Sequence, residues 1–354
     1  MTTSFQWDSF RTEVDRRLRA FVERQRPLVG APDLAPLLTA AEDFLAGGKR
    51  LRPAFCYWGW RGAGGEDGPE ICAAAASLEL LQASALIHDD VMDSSDMRRG
   101  RPSAHRRFQA MHEEAGWRGS PARFGEGAAV LLGSLLLVWS SEMWRTSGLP
   151  AEALAAAEPI HDLMRTELMC GQYLDLLEQA HGESTFDSAL RVALHKSGKY
   201  SVEQPLRLGL VLAAGRQEPW IDRLCVQYGH KVGIAFQLRD DILGVFGDPA
   251  ETGKPAGDDL REGKRTMLIA RTLSAASEGQ AADVRRLLGD PALDAQGIAR
   301  LRGIIEDTGA LTAGEEMIKR YLDDALSSLE RAPITPEARR ALEELAVAAT
   351  ARRS

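Results

Sequence analysis

Apolar residues recur at three- and four-residue spacing along nearly the whole chain of 354 residues, and alternating strand-like patterns are scarce. This period matches one face of an α-helix, so the sequence predicts an all-α fold. The predicted helices cover Phe10–Val22, Ile71–Val91, Val130–Trp144, Ile160–Leu177, Leu190–Leu212, Ile221–Val245, Ile298–Ile305 and Met317–Leu329.

Glycine- and proline-rich breakers separate these segments, and none of them has the composition of a linker between domains. No short sequence period indicates a repeat array. At 44% apolar content the chain can bury a large core, so we expect a single domain over residues 1–354. The breakers lie at Gly64–Glu70, Gly116–Pro121, Ser147–Pro150 and Gly247–Asp259.

Charge and cysteine usage argue against several classes of protein. The net charge of -8 and a pI near 5.5 disfavour a nucleic-acid surface. Four cysteines without CxxC spacing indicate neither a disulfide framework nor a zinc site. The N-terminal segment lacks the apolar run of a signal peptide, and the longest apolar run, Ala128–Trp139, is short for a bilayer span. We expect a soluble, cytoplasmic protein.

Two aspartate pairs, Asp89-Asp90 and Asp240-Asp241, each follow a long apolar run. Burying paired carboxylates costs several kcal/mol per ion unless a positive group offsets that cost. On a helix, Asp89 and Asp93 share a face about 6 Å apart along the axis. Hard carboxylate oxygens suit Mg²⁺, which also takes phosphate oxygens and water. The pairs therefore predict metal sites, on opposed helices that leave an open side for a polyphosphate.

The first pair is followed by Arg98, Arg99 and Arg101, with Gly100 predicted to end the helix. Guanidinium groups pair bidentately with phosphate, so acid, metal and basic fork would lie together. The alternative is a solvated helix end at which aspartate and arginine side chains only balance charge.

Several motifs occur in series: GGKRLRP from Gly47, DDVMD from Asp89, GQYLDL from Gly171, HKSGKY from His195, and FQLRDD followed by GKPAGDDLREGK. In this order the chain resembles the trans-isoprenyl diphosphate synthase (polyprenyl synthetase) family. The motifs are similar to that family's isopentenyl-diphosphate loop, first aspartate-rich motif, GQxxDL and Lys-Thr-Gly segments, and second aspartate-rich motif with its lysine-bearing tail. The resemblance is greatest to a geranylgeranyl diphosphate synthase.

The resemblance implies a single large antiparallel helical bundle around a deep central cavity, the isoprenoid synthase fold, and a homodimer. It implies a transferase of isoprenoid biosynthesis that condenses isopentenyl diphosphate head-to-tail with an allylic diphosphate. The allylic diphosphate ionises, the double bond of isopentenyl diphosphate attacks the carbocation, and a proton is lost. About three Mg²⁺ ions per active site would stabilise the charge on the departing diphosphate.

The resemblance also implies roles for individual residues. Metal ligands would be Asp89, Asp93 and Asp240, with Asp90 and Asp241 acting through water or by orienting these ligands. The allylic diphosphate would be held by Arg98, Lys196, Lys254 and Lys264, and isopentenyl diphosphate by Lys49, Arg52 and Arg99. Gln237 and Ser197 would steady the carbocation, and Gln172 would bind substrate or, with Asp175, pin a kink between helices.

Three positions depart from the family pattern. Gln82 stands where many members place a histidine that contacts isopentenyl diphosphate, although an amide can still donate to phosphate. Gly244 stands in place of the third acid of the second motif, for which Asp248 could partly compensate. Ser134 replaces an aspartate that the family commonly has in this helix.

His88, beside the first motif, is expected to pack or hydrogen-bond rather than bind metal, because hard oxygen sites rarely need imidazole.

Product length depends on where the growing chain meets a wall. Ala85 and Ser84, four and five residues before Asp89, are expected to point into the cavity. Two small residues leave room for at least one isoprene unit beyond a farnesyl product, so we predict geranylgeranyl diphosphate.

Two other functions remain as alternatives. A class I terpene cyclase also uses a DDxxD cluster, but its second site is an Asn/Asp-Ser-Glu triad, whereas this chain has DDILG from Asp240. A silent partner subunit of a heteromeric synthase is the other, although such subunits tend to lose one acidic motif.

Overall fold

The computed structural model describes residues 7–27, 31–182, 185–248 and 257–351. Lys254 lies outside these residues. The first helices are α1 (Trp7–Gln25), α2 (Ala35–Leu45), α3 (Leu51–Gly62), α4 (Pro69–Met92), α5 (Ala104–Glu114), α6 (Pro121–Arg145) and α7 (Ala151–His181). A short 3₁₀ turn, Pro32–Leu34, precedes α2, and a hairpin of β1 (Met97–Arg98) and β2 (Arg101–Pro102) follows α4.

The later helices are interrupted by two π-helical segments, Leu194–Glu203 and Cys225–His230. π-helical geometry is rare in proteins overall, and where it does occur it is often at a functional site. The helices are α8 (Phe186–Ala193), α9 (Gln204–Ala214), α10 (Pro219–Leu224), α11 (Lys231–Phe246), α12 (Asp258–Arg261), α13 (Met267–Ala275), α14 (Glu278–Leu287), α15 (Ala295–Asp307), α16 (Ala310–Leu329) and α17 (Pro336–Thr350).

The chain packs as two compact units. The first takes the chain up to Glu158 together with Leu208–Gln217 and Ile334–Ala341. The second takes Pro159–Arg207, Glu218–Pro333 and the chain from Leu342. The expected single domain over residues 1–354 stays a prediction.

In the first unit, α4 is the central helix. Proline at its first position suits the helix start, and nearly every side chain from Ile71 to Ile87 is apolar or small, which allows burial on all sides. Its most extensive neighbour is α6, and the two approach closely at Gly133. A Cβ at Gly133 would overlap the ring of His88, so the glycine is what admits the histidine between the helices.

In the second unit, α11 packs against α16 and the π-helical segment Leu194–Glu203. Its apolar residues, among them Ile234, Leu238 and Ile242, join a buried cluster with α13, α15 and α16. The packing of these apolar residues holds α11 in place and thereby fixes the positions of Asp240 and Asp241 on it.

Each predicted helix coincides with helical structure, although π-helical segments interrupt two of them, at Leu194–Glu203 and Cys225–His230. The prediction missed α2, α3, α5, α12, α13, α14 and α17, which are short or weakly periodic. It was wrong about Gly100: α4 ends at Met92, and Arg99 and Gly100 form a two-residue hairpin turn with φ of 53° and 74°. Positive φ at both positions is the type I′ turn that suits the twist of a β-hairpin.

Among the described residues, α4 and α6 are long and apolar enough to cross a membrane by length and composition alone, each with a mean hydropathy of 1.4 over its most apolar stretch. The run Ala128–Trp139 therefore belongs to a longer apolar helix than its own length indicates. Of these stretches, 72% is buried within the protein in α4 and 39% in α6. The expected absence of a membrane span stays a prediction.

Candidate active site

Arg50 anchors the loop that precedes α3. The backbone is left-handed at Gly47, Gly48 and Arg50, which turns the loop back on itself. The buried Arg50 guanidinium donates to Asp15 Oδ1 (2.9 Å), to Glu79 Oε2 (2.6 Å) and to the Leu45 carbonyl. Burial opposes its charge, but the two carboxylates prevail and raise the pKa of Arg50. The sequence motif singled out Lys49 and Arg52 here and missed this anchor.

A cluster of guanidinium groups, the arginine cluster, borders this loop. The position that a Cβ on Gly48 would occupy is 3.6 Å from both Arg50 Nη1 and Arg99 Nη2. Arg99 also donates to the Phe44 carbonyl (3.2 Å). Arg99 reaches solvent, yet protein atoms surround it, and burial with repulsion from its neighbouring arginines lowers its pKa. A bound anion would relieve that repulsion. The cluster consists of Arg50, Arg52, Arg98 and Arg99.

The first aspartate motif occupies the last turn of α4. Asp89 and Asp90 are buried, and Asp93 is the half-buried C-cap residue, whose N–H donates to the Asp89 carbonyl (2.8 Å). Arg98 Nε donates to Asp90 Oδ1 (2.9 Å), and its Nη2 lies 3.6 Å from Asp89 Oδ2. The hairpin therefore directs Arg98 toward the acids of α4.

Residues along α4 differ in their access to solvent. Gln82 and Ala85 are half-buried, whereas Ser84 is fully buried and its Oγ has no hydrogen-bond partner among the described residues. Ala85 is thus the accessible one of the two positions predicted to control chain length.

His88 Nε2 lies 3.2 Å from the Val130 carbonyl oxygen, which also accepts from Ser134 Oγ (2.9 Å). These contacts confirm that His88 has a packing and hydrogen-bonding role.

In the second unit, the GQYLDL and HKSGKY segments meet. A Cβ on Gly171 would overlap Lys196 N and lie 2.6 Å from Lys196 Cα, so only glycine lets α7 approach the π-helical backbone this closely. One turn later, buried Asp175 accepts from Lys196 Nζ (2.5 Å). Glu167, one turn earlier and missed in the sequence, accepts from Lys199 Nζ (2.5 Å). Gln172 is half-buried beside this contact.

The π-helical segment also crosses α11 at a pair of glycines. A Cβ on Gly233 would lie 2.7 Å from the carbonyl carbon of Gly198, so the two backbones touch. Ser197, next to this crossing, is half-buried. One turn further along α11, Gln237 Nε2 donates to Asp241 Oδ1 (2.7 Å). The amide orientation at Gln237 is therefore set by the second aspartate pair.

Asp241 is buried among other acids. Burial raises its pKa to about 7, with further repulsion from Asp259 and Asp240. Asp259 was not foreseen from the sequence, because it lies on α12 and nearly twenty residues from the pair. Lys264 Nζ lies 2.6 Å from Glu262 Oε2 and 3.4 Å from Asp259 Oδ1.

These residues fit a divalent cation that binds together with a diphosphate. Within the described parts of the chain, no group of three or more acidic, histidine or cysteine side chains is arranged to hold an ion by itself. Mg²⁺ usually takes one or two carboxylates and completes its shell with water and phosphate oxygens. Asp240 and Asp259 lie close enough to Asp241 to raise its pKa, and a cation bound among these carboxylates would offset that repulsion.

Residues 35–305 match the sequence profile of the polyprenyl synthetase family. The chain belongs to the polyprenyl synthetase family. Its family reaction is the condensation of isopentenyl diphosphate with an allylic diphosphate, so the chain is a prenyltransferase. Family membership confirms the all-α isoprenoid synthase fold and decides against the terpene cyclase alternative.

Three similar proteins place the chain within the polyprenyl synthetases. A geranylfarnesyl diphosphate synthase of Aeropyrum pernix is 33% identical over 81% of this chain and 85% of the relative. A heptaprenyl diphosphate synthase component 2 of Geobacillus stearothermophilus is 33% identical over 93% of each chain. A geranylgeranyl pyrophosphate synthase structure from Corynebacterium glutamicum, complexed with isoprenyl diphosphate and magnesium, has 40% identity and a TM-score of 0.95, and the match covers 99% of this chain and 100% of that one.

Proposed function

We propose that the chain condenses isopentenyl diphosphate with an allylic diphosphate in the presence of Mg²⁺ and releases geranylgeranyl diphosphate. The observation that supports this most is the direction of two consecutive arginines. Arg98 contacts the acids of α4, whereas Arg99 lies beside Gly48 and Arg50. One hairpin turn thus joins a carboxylate-rich site for a metal-bound diphosphate to a cationic site that can hold a diphosphate without metal.

Isopentenyl diphosphate binds at the arginine cluster in this proposal. Arg99 and Arg52 supply guanidinium forks, and exposed Lys49 adds a further positive charge. Arg50 shapes the loop rather than binding substrate, because its donors serve Asp15, Glu79 and Leu45. The Gln82 amide, on the α4 face next to Glu79, replaces a histidine donor.

The allylic diphosphate binds at the aspartate motifs. Proposed metal ligands are Asp89, Asp93 and Asp240, while Asp90 and Asp241 orient the site through Arg98 and Gln237. Bound Mg²⁺, about three ions, supplies positive charge that stabilises the departing diphosphate. Lys196 and Lys264 share their charge between acidic partners and the diphosphate. Arg98, Gln172 and Lys254 complete the proposed contacts.

The carbocation is steadied by oxygen dipoles. Because Gln237 gives its Nε2 to Asp241, its amide oxygen is turned away from that carboxylate and can face an electron-poor carbon. The Ser197 hydroxyl has the same chemistry. The bond from the allylic carbon to oxygen breaks, a carbon–carbon bond forms, and the released diphosphate takes the proton, so no side-chain base is needed.

A homodimer in the cytoplasm is the proposed form. Phe124, Leu131 and Val138 follow one another at seven-residue spacing on α6 and are 37%, 67% and 63% exposed. Such a stripe suits a symmetric contact with a second copy, because the same face meets itself across a two-fold axis. The free cysteines, including exposed Cys170, suit a reducing compartment. Sedimentation of Leu131→Glu should show monomers where the wild type shows dimers.

The function is tested by incubating the purified chain with isopentenyl diphosphate, Mg²⁺ and each allylic diphosphate, followed by chromatography of the products. Geranylgeranyl diphosphate is the expected product. Chains that end at farnesyl diphosphate, or run well past geranylfarnesyl diphosphate, would refute the length assignment. One relative is named as a component, so an inactive isolated chain that gains activity with a partner subunit would favour a heteromeric synthase.

A further inference from the structure

Asp259 occupies the space of the side chain that Gly244 lacks. Gly244 lies four residues after Asp240 and three after Asp241 on α11, so the three positions share a helix face. A Cβ on Gly244 would overlap Asp259 Oδ2 and lie 2.6 Å from Asp259 Cγ. The carboxylate of Asp259 therefore stands where an acidic side chain at position 244 would begin.

The backbone and a neighbouring lysine hold Asp259 in this place. Gly257, with φ of 71°, turns the chain into α12, and Asp259 lies in the first turn of that helix. The Lys264 N–H donates to the Asp259 carbonyl (3.1 Å), and Lys264 Nζ lies 3.4 Å from Asp259 Oδ1. The side chains of Asp259 and Lys264 are each 17% exposed, so the pair is largely sheltered from solvent.

We propose that Asp259 supplies, from α12, the third carboxylate that the second aspartate-rich motif lacks at Gly244, and that it strengthens Mg²⁺–diphosphate binding there as a positioning residue. The inference rests on the proposed function, because that function assigns Mg²⁺ and diphosphate to this motif. Asp259 acts through water or through its neighbours Asp241 and Lys264. A side chain at position 244 would displace the Asp259 carboxylate from its present place.

The ordinary interpretation is that Asp259 only pairs with Lys264 to fix the loop. The two interpretations differ in what a relocated acid does. If the negative charge on this face matters, an aspartate at position 244 can replace one at position 259. If only the Lys264 pair matters, moving the acid to α11 restores nothing.

The test is a Mg²⁺ titration at fixed inorganic pyrophosphate, read as the rise in thermal unfolding temperature, so it does not depend on turnover. Asp259→Ala and Asp259→Asn should raise the Mg²⁺ midpoint by about tenfold, the loss typical of groups that orient metal ligands. Gly244→Asp alone should unfold at a lower temperature because its Cβ overlaps Asp259. Gly244→Asp combined with Asp259→Ala should bring the midpoint back to within about threefold of the wild type.

Asp258→Asn, which removes a charge from the adjacent residue of α12, is the matched control and should leave the midpoint unchanged. The proposal is overturned if folded Asp259→Asn keeps the wild-type midpoint, or if the double variant binds no better than Asp259→Ala. If the double variant does not fold, the Asn variant decides. A wild type that binds Mg²⁺ and pyrophosphate but makes no prenyl product would refute the proposed function alone, whereas one that binds neither would refute both.

Discussion

Lys196 donates from Nζ to Asp175 Oδ2 at 2.5 Å and thereby joins the π-helical segment Leu194–Glu203 to α7. Two sequence motifs that lie about twenty residues apart are therefore one structural unit. The Asp175 carboxylate thereby fixes the direction of the Lys196 ammonium group.

The first prediction concerns this ion pair. Lys196→Ala should lower the free energy of unfolding by about 2 kcal/mol, because it leaves the carboxylate of Asp175 buried without its cation. Removing both partners, in Lys196→Met with Asp175→Leu, should cost less than the single change. Urea unfolding of the wild type, Lys196→Met, Asp175→Leu and the double variant measures the coupling energy, and additive losses would show that the ion pair makes no net contribution to stability.

The second prediction concerns the glycine at the same contact. Gly171→Ala should destabilise the protein by about 2 kcal/mol, because the added Cβ overlaps the Lys196 backbone and that backbone cannot move aside like a side chain. Gly303→Ala in α15 is the control, since nothing lies within 4 Å of its Cβ position. That variant should be more stable by about 0.5 kcal/mol, owing to helix propensity. Equal effects in thermal unfolding would contradict the close contact.

The third prediction concerns pH. Burial, with repulsion from Arg165, lowers the pKa of His161 to about 4 from its model-compound value of 6.5. Between these values the unfolded chain binds the proton more readily, so stability rises with pH in this range. The contribution of neutral His161 to the free energy of unfolding is therefore fully present above about pH 6.5. Up to about 3 kcal/mol of that free energy is lost as the pH falls toward 4.

His161→Gln, which cannot titrate, should show a shallower loss of stability between pH 6.5 and pH 4. The difference between the wild-type and variant curves of stability against pH separates the effect of His161 from that of the other titrating residues. Parallel curves would mean that protonated His161 is accommodated in the folded state.

The fourth prediction concerns product length. Ala85→Phe should shift the product from geranylgeranyl toward farnesyl diphosphate, because Ala85 is the accessible position one turn before Asp89. Ser84→Ala is the control: the buried hydroxyl is removed without adding volume, so product length should stay the same. Chromatography of products from farnesyl and isopentenyl diphosphates gives the answer, and a longer product from Ala85→Phe would contradict it.

The fifth prediction concerns the metal. Asp89→Ala should lower turnover by about a thousandfold, since several kcal/mol of charge stabilisation are lost with the metal ligand. The helical circular dichroism signal should persist, because Arg98 keeps its bond to Asp90. EDTA should abolish turnover of the wild type in the same way. Loss of the helical signal in Asp89→Ala would instead mean that the acid is structural.

Much of this molecule could be predicted from local sequence patterns. Long helices such as α4 and α11 follow from their period, and the aspartate pairs follow from charge placed after apolar runs. The roles of neighbouring arginines could not be separated in this way: Arg50 and Arg52 look alike in the sequence, but only the folded loop shows that Arg50 is committed to Asp15 and Glu79.

Contacts between distant segments account for the other differences. The sequence shows only that Gly244 replaces the third acid of the second aspartate-rich motif. It does not show that Asp259 lies beside Gly244, because the position of Asp259 depends on the turn at Gly257 and not on any pattern in α11. The sequence predicts a helix end at Gly100 because glycine often terminates helices, whereas in the structure Gly100 closes a hairpin. Local signals identify a turn residue without specifying which turn it makes.

The two-residue turn at Arg99 and Gly100 makes the hairpin a spacer of fixed length. A single peptide bond separates the arginine that contacts Asp90 from the one that borders Gly48. Lengthening the turn by one residue would rotate one arginine relative to the other. If the two diphosphates bind as proposed, both would then lose their alignment together, even though neither set of binding groups had been removed.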